Sequence, residues 1–552
     1  MTPARSAHKV QRLLALACVL LLCEMLVGAF PFSSVEGDEQ AVINGVQEMI
    51  RPRSADLRWR YDYPVQPGAY WLTIGAHALT RAAPGLCYYA LSAACAFAFA
   101  FVSAAFVSRL SGLGLVSSLT LTLLCQEVQR GGFYANSSTF GGLFVLLGLW
   151  SFLRVRRPGF ASSVIAGVLF GLGGWCRLDA LVLTPVLLVL AWHRTTPGRA
   201  IALTAAAAFS SLAALGALDA AAHVSPGEIL GVYSGRSSNL GFRSTIVGFY
   251  EIGSLGLFLA AGFGITSCLR RREYWPLLLA ASGLGPTLFL YAESVTTPKY
   301  LYYLTPILAF LAAEGVRAAV AMRRLWPGFL AVTAVAAEWL TGLRTTRTEF
   351  RRFTPEPTLA AIAPIHVGTK RLEWVVGAGE IIPNDDGFSL WTGLGYAGIA
   401  WHREKANALR QIGNLHQVID RNPRLAVLTS TYASYQCAVG HLRQTGFSCA
   451  DQLIDPIDPA SHLDRWQSGP RVCWLAWINE GSRAPALFAE DARRFSGLPT
   501  YFFNDMGAAY AKLLLAVCPG ASLVGDRDDG LFALYRLTAD SSHPKMSALQ
   551  SR

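Results

Sequence analysis

LLALACVLLLCEMLVGAFPFSSVEGDEQAVINGVQEM, residues 13–49, sets a long apolar run just before an adjacent acid pair, Asp38 and Glu39. The run, 13–30, has the ~18–20 residues that a helix needs to cross a hydrocarbon core. The acids then open a second helix over 38–50, in which Val42, Ile43, Val46 and Met49 recur at helical spacing on one face. The first helix suits the inside of a membrane and the second its surface. An acid in a first helical turn is favoured by the helix dipole whatever else it does. Whether the pair also does chemistry depends on what the rest of the chain brings to the same side of the membrane.

The composition is that of a polytopic membrane protein with a soluble tail. Of 552 residues, 53% are apolar and only 15% charged, and the mean hydropathy is +0.36. Soluble domains rarely combine those values. The net charge of +11 does not point to nucleic acid, because the arginines recur between apolar segments rather than in one basic patch.

Candidate spans are 13–30, 87–108, 112–128, 137–153, 160–175, 178–193, 199–222, 246–268, 275–292, 301–319 and 326–343, about 11 transmembrane helices. Cytoplasmic joins carry an excess of Lys and Arg. With Arg5, Lys9 and Arg12 inside, the alternate joins carry Arg109, then Arg154, Arg156 and Arg157, then Arg194 and Arg199, then Arg270 to Arg272, then Arg317, Arg323 and Arg324. Each of those joins is basic, which places everything after residue 343 outside. The weakest spans are 112–128 and the pair 160–193, which also suit re-entrant or interfacial segments. The small residues Gly28 and Ala29 would suit a cleaved signal peptide. Because later segments need the first one for a consistent topology, it is read as an uncleaved anchor.

Residues 344–552 change character. Short β-rich runs (WVVGAG, LAVLTS, VCWLAW, GLFALYRL) alternate with helical stretches at 403–419, 432–445 and 505–516, the pattern of a small α/β domain. The cysteines form no CxxC and no zinc spacing. Four of them, Cys437, Cys449, Cys473 and Cys518, lie in the tail, where an outside location permits disulfides; Cys437–Cys449 is the first pairing to expect.

The loop 31–86 is too long for a simple connection. Its second half begins RWRYDYPVQPGAYWLTIGAHAL, with Tyr70 and Trp71 suited to the headgroup boundary. Two amphipathic helices along the outer interface would frame a cavity at membrane level, fit for a lipid-linked substrate. Side chains of adjacent helical residues point about 100° apart, so Asp38 and Glu39 cannot act as equivalent carboxylates. One suits a general base and the other a structural or orienting role. Elsewhere, Arg177 and Asp179 interrupt the apolar GGWCRLDALVLTPVLLVL, and Lys299 and Tyr300 head a span in YAESVTTPKYLYYLTPILAF. A guanidinium or ammonium there can hold a phosphate; an internal Arg–Asp pair and a snorkelling lysine are the plainer alternatives. The loop 223–245 adds His223, Glu228, Arg236 and Arg243 on the same side.

In the order of these features residues 1–343 resemble the GT-C superfamily of integral-membrane glycosyltransferases, in particular the polyprenyl-phosphate-sugar-dependent mannosyltransferase and aminoarabinose-transferase-like group. The resemblance is carried by GDEQ at 37–40, YDYPVQPGAYWL at 61–72, RLDALVLTP at 177–185 and PKYLYYLTPIL at 298–308. It implies Asp38 as catalytic base with Glu39 beside it, and Arg177 and Lys299 as the lipid-phosphate cations; Asp179, Tyr300, Asp62 and Arg243 are added as further candidates for the substrate and lipid-phosphate set. It implies a polyprenyl-phosphate sugar donor, a glycan, lipid or protein acceptor, and the lipid bilayer as partners. The proline segment reads YPVQPGAY where the usual family form is histidine–proline–proline. Some members bind a divalent metal, but no His/Glu pair for one stands out here, and no metal or other cofactor is assigned.

The resulting expectation is a GT-C-like membrane domain, 1–343, followed by an extracytoplasmic α/β domain, 344–552, in the bacterial inner (plasma) membrane. A sugar would pass from a polyprenyl-phosphate carrier to a hydroxyl acceptor on the outer face. An O-antigen polymerase or ligase would instead place its key arginines in a large mid-chain loop. A transporter should show paired halves with broken helices.

Overall fold

The computed structural model describes residues 3–29, 37–50, 63–125, 128, 137–234, 255–293 and 302–322, together with six short strands between 426 and 537. The chain divides into two units. One comprises Met1–Phe32, Tyr61–Ile381 and Phe388–His402; the other comprises Ser33–Arg60, Ile382–Gly387 and Arg403–Arg552.

The first unit is helical. Its helices are α1 (Pro3–Ala29), α3 (Pro67–Thr80), α4 (Pro84–Ser111), α5 (Leu115–Leu123), α6 (Ser137–Arg154), α7 (Phe160–Cys176), α8 (Pro185–Arg194), α9 (Pro197–Ala221), α10 (Pro226–Ser234), α11 (Leu255–Arg271), α12 (Trp275–Glu293) and α13 (Thr305–Ala321). The name α2 is kept for Gly37–Ile50, which belongs to the second unit. Proline opens many of these helices at a first-turn position, where its missing N–H costs no hydrogen bond.

Four helices, Pro84–Ser111, Ser137–Arg154, Pro197–Ala221 and Tyr302–Ala321, are long and apolar enough to cross a membrane. On α9 the side chains Ile201, Phe209 and Leu212 are 64%, 76% and 69% exposed. A stripe of that kind is at home against lipid tails and not in water. The chain is an integral membrane protein.

Two expected spans are shorter than a crossing requires. Within 112–128, α5 has nine residues, about 13 Å of helix. Two of its hydroxyls meet backbone carbonyls: Thr120 Oγ1 shares its proton between Leu14 O at 2.8 Å and Val116 O at 2.9 Å, and Thr122 Oγ1 donates to Ser118 O at 2.9 Å. The expected span 178–193 is a 3-10 turn, Leu178–Leu183, followed by the ten-residue α8. Extended backbone at Arg177 (φ −164°, ψ 110°) stops α7, and Pro185 cannot donate to the turn before it. The other described helices lie on expected segments except α10, Pro226–Ser234, which forms within the expected loop 223–245. Residues 246–254 and 326–343 fall outside the described residues.

The core is aromatic and tightly packed, with Tyr70, Tyr88, Tyr303, Phe99, Phe106, Phe140, Phe152 and Phe310 fully enclosed. Phe99 of α4 stacks on Tyr302 with ring centroids 4.2 Å apart. Helices α11 and α13 cross at Gly264 and Gly315, where a Cβ would strike the facing backbone carbonyl of Leu311 or Ala260. Small residues of this kind let membrane helices approach without an intervening side chain. Basic joins meet at the C-terminal end of α6. Arg194 donates to Phe152 O at 3.2 Å and Leu153 O at 2.9 Å, and Arg199 donates to Pro158 O at 3.2 Å.

In the second unit, α2 buries Val42, Ile43 and Val46 and half-buries Met49, the face that the sequence marked. The strands are β1 (Ala426–Thr429), β2 (Ala450–Leu453), β3 (Arg471–Trp474), β4 (Thr500–Asn504), β5 (Ser522–Val524) and β6 (Ala533–Leu537). They form one sheet of order β2-β3-β1-β4-β6-β5. The first four are parallel, with Leu428 in register between Cys473 and Phe502, and β6 runs antiparallel to β4 and β5. Parallel neighbours require long crossovers. The residues that make those crossovers, the run WVVGAG, and the side chains of the tail cysteines lie outside the described residues. Strands β1, β3 and β6 fall on three of the runs marked from sequence; β2, β4 and β5 do not.

Candidate functional site

Arg177 follows the last residue of α7 and is 4% exposed. Its backbone N–H still donates to Gly173 O at 2.8 Å, so the helix hands the residue over at a fixed angle. Among the described residues the guanidinium meets three oxygens. Nε donates to Asp179 Oδ2 at 3.2 Å, and Nη1 donates to Gln66 Oε1 at 3.1 Å and to Ser137 Oγ at 3.2 Å. Ser137 Oγ also donates to Gln66 Oε1. Gln66 precedes the first residue of α3 and Ser137 opens α6. A buried cation therefore stands at the heads of two helices, where the aligned backbone dipoles already make the potential positive. Asp179, 18% exposed, offsets part of that cost.

Helix α6 also brings a second stretch to the same place. A Cβ on Gly141 would lie 2.8 Å from Arg177 Cβ, and one on Gly142 would lie 3.1 Å from Tyr302 Cε1 and 3.2 Å from Tyr303 Cδ1. Two consecutive glycines thus let RLDALVLTP and PKYLYYLTPIL close on the same turn of α6. Nearby, the 3-10 turn Tyr63–Val65 ties the segment before α3 to the end of α9. Tyr63 Oη donates to Ala222 O at 3.0 Å and accepts from Trp71 Nε1 at 2.9 Å. Burial pushes the Tyr63 phenol above its ordinary range, against the Trp71 hydrogen bond and with the Asp219 carboxylate, so it stays a donor.

Of the residues singled out in the sequence, Arg177 and Asp179 are brought together. Asp38 and Glu39 stand in the first turn of α2, in the second unit, and their side chains lie outside the described residues. So do Asp62, Arg243, Lys299 and Tyr300. His223 closes α9 in the left-handed conformation (φ 56°). Glu228 closes a capping box on α10, accepting from Ser225 N at 2.7 Å and Ser225 Oγ at 2.8 Å, a helix-start role. Gln66 and Ser137 were not marked from sequence. Their only signal there is a polar side chain between two prolines and a Ser-Ser-Thr run ahead of an apolar helix.

Among the described residues, Cys268, Glu273 and Glu314 have the donor atoms of a metal site within 4.8 Å of one another. Glu314, 1% exposed, accepts from Arg271 at 3.0 Å and from Arg317 at 2.7 Å. Glu273 faces the same two arginines at 3.3 Å and 3.5 Å. Two guanidiniums balance two carboxylates, so the group reads as an ion-pair network.

No protein-family model matches the chain, and no curated protein matches its sequence. Solved structures do. Crystal structures of ArnT from Cupriavidus metallidurans are 13% identical to this chain and cover 96% of it and 99% of their own length. The TM-score is 0.49 for the apo state and 0.50 for the form bound to undecaprenyl phosphate. The fold is GT-C-like. The resemblance drawn from four short stretches thus holds at the level of fold. Within this GT-C-like fold, RLDALVLTP supplies the buried cation and YDYPVQPGAYWL its amide partner.

Proposed function

We propose that the chain is a membrane glycosyltransferase that moves a sugar from a polyprenyl-phosphate carrier to a hydroxyl acceptor on the outer face of the membrane. The observation that carries this reading is the buried Arg177 at the heads of α3 and α6 in a GT-C-like fold, together with the undecaprenyl phosphate bound by the similar ArnT. In the reaction the bond between the anomeric carbon and the phosphate oxygen breaks, and the acceptor oxygen bonds to that carbon. The lipid phosphate leaves with one more negative charge, which Arg177, with Lys299, would stabilise. Asp38 takes the acceptor's proton as general base. Glu39 stays a helix-start neighbour, and Asp179, Asp62, Tyr300 and Arg243 complete the substrate set. Inversion at the anomeric carbon follows from the resemblance.

On this reading the second unit's sheet belongs to an extracytoplasmic α/β domain, and the protein sits in the bacterial inner membrane. The positive-inside pattern of the joins supports that orientation. Asp38→Asn should insert and fold at the wild-type level yet cut transfer at least about a hundredfold. Mass spectrometry of cell-envelope glycans from cells with the gene, without it and with the variant reads both the product and its loss. An unchanged glycan in the variant removes Asp38 from the role of base. Thiol labelling that places the tail in the cytoplasm overturns the orientation.

A further inference from the structure

The end of α6 opposite Arg177 carries positive charge that the protein itself does not answer. Arg177 bonds Ser137 at the head of that helix; the basic joins gather at its other end, about 25 Å away by the helix length. The aligned carbonyls there would by themselves draw cations, and two guanidiniums meet that demand. Arg194 donates to Phe152 O, Leu153 O and Arg156 O, and Arg199 donates to Pro158 O. Arg154, Arg156 and Arg157 lie on the turn so pinned and are exposed, as is Arg109 on α4, which packs beside α6. Arg109 is near enough to act on Arg194 by charge. Among the described residues no carboxylate pairs with any of these arginines. The sequence offers them few: between residues 81 and 218 the acids are Glu127 and Asp179, and Asp179 is paired with Arg177 at the far end. Like charges held this close repel one another, a cost that an outside anion removes. An apolar rim accompanies them. Val155 sits between Arg154 and Arg156, Phe160 opens α7 just beyond the turn, Trp192 precedes Arg194 on α8, and all three are exposed.

We propose that the turn 154–157, with Arg109, binds the headgroup of an anionic phospholipid of the surrounding leaflet, at a site separate from that of the sugar donor. Clustered arginines beside exposed aromatic side chains match a molecule with an anionic head and hydrocarbon tails. A free phosphate would use the charge and leave the rim in water. Basic joins that only set topology need no particular lipid. Here three exposed arginines share one short turn, and two more hold that turn in place. On the orientation proposed above the leaflet is the cytoplasmic one, whose surface is negative; the site itself needs only the charge and the rim.

The test uses the full-length protein in detergent, with cardiolipin as the probe and phosphatidylcholine as the zwitterionic comparison. Titration reads binding and thermal unfolding reads folding. Wild type should prefer cardiolipin by at least about tenfold, and added salt should erode that preference. Arg154→Gln, Arg156→Gln and Arg157→Gln together should weaken cardiolipin binding roughly a hundredfold while lipid-free unfolding stays as in wild type. The same three positions changed to Lys keep the charge and should bind within about threefold of wild type. Trp192→Ala should weaken binding by about tenfold through the lost apolar contact. An excess of inorganic phosphate should not displace the lipid. Equal affinity for the two lipids, a preference indifferent to salt, wild-type binding by the Gln variant, or displacement by phosphate overturns the proposal. Folded Arg177→Met should lose undecaprenyl phosphate and keep cardiolipin. Loss of both would put cardiolipin at the donor end and overturn this inference alone. Retention of both would remove the phosphate reading of Arg177 and leave this site standing.

Discussion

Two buried charges, one within α13 and one beside its N-terminal end, are answered differently by the first unit. Just past the middle of α13, Glu314 is 1% exposed and faces two arginines whose side chains are 36% and 42% exposed. Beside its N-terminal end, across Gly141 and Gly142, Arg177 faces one aspartate and two neutral oxygens at the heads of two helices. The first charge is answered by charge and locks α11 to α13. The second is paired with Asp179 and also meets the neutral oxygens of Gln66 and Ser137. The same physics, a buried ion in need of partners, is met by charge alone in one place and by charge together with neutral oxygens in the other.

That contrast can be broken by substitution. The largest expected effect is on stability: Glu314→Ala leaves Arg271 and Arg317 without their shared carboxylate. It should cost about 3 kcal/mol, the low end for a buried pair because both arginines reach solvent. Thermal unfolding in detergent measures this, and the folded fraction should bind undecaprenyl phosphate as wild type does. A binding defect at unchanged stability would make the Glu314 end functional too. Gly315→Leu comes next. Its side chain would meet the Ala260 carbonyl on α11, forcing the helices apart at a cost of ~1–3 kcal/mol, again with affinity unchanged. The smallest effect sharpens the picture at Glu228. If its carboxylate serves the capping box alone, Ser225→Ala should lower stability by about 1 kcal/mol and leave glycan transfer intact. A transfer defect in Ser225→Ala would return Glu228 to the candidate site.

The sequence reaches far into the fold and only part-way into the site. Long apolar runs declare themselves by length, and the face of Val42, Ile43 and Val46 by its period, because both are properties of one continuous stretch. The break at Arg177 was marked only as an interruption. Telling a span from a 3-10 turn plus a short helix needs the tertiary contacts that satisfy the exposed backbone. Arg177 stood out because a charge in an apolar stretch is costly. Gln66 and Ser137 did not, because a neutral polar residue near a proline or a helix start has many ordinary explanations. What makes these two matter is their meeting across 71 and 111 positions of chain. No local pattern encodes such a meeting.

The grouping of Ser33–Arg60 with Arg403–Arg552 has a consequence for how the protein is made. The acid pair's helix leaves the ribosome early, yet the bulk of its unit is encoded after the whole bundle. At a synthesis rate of about 5–20 residues per second, α2 must wait tens of seconds for those partners. Completion of the unit that contains Asp38 is thus a late event in biogenesis, reached only when its C-terminal residues have been delivered.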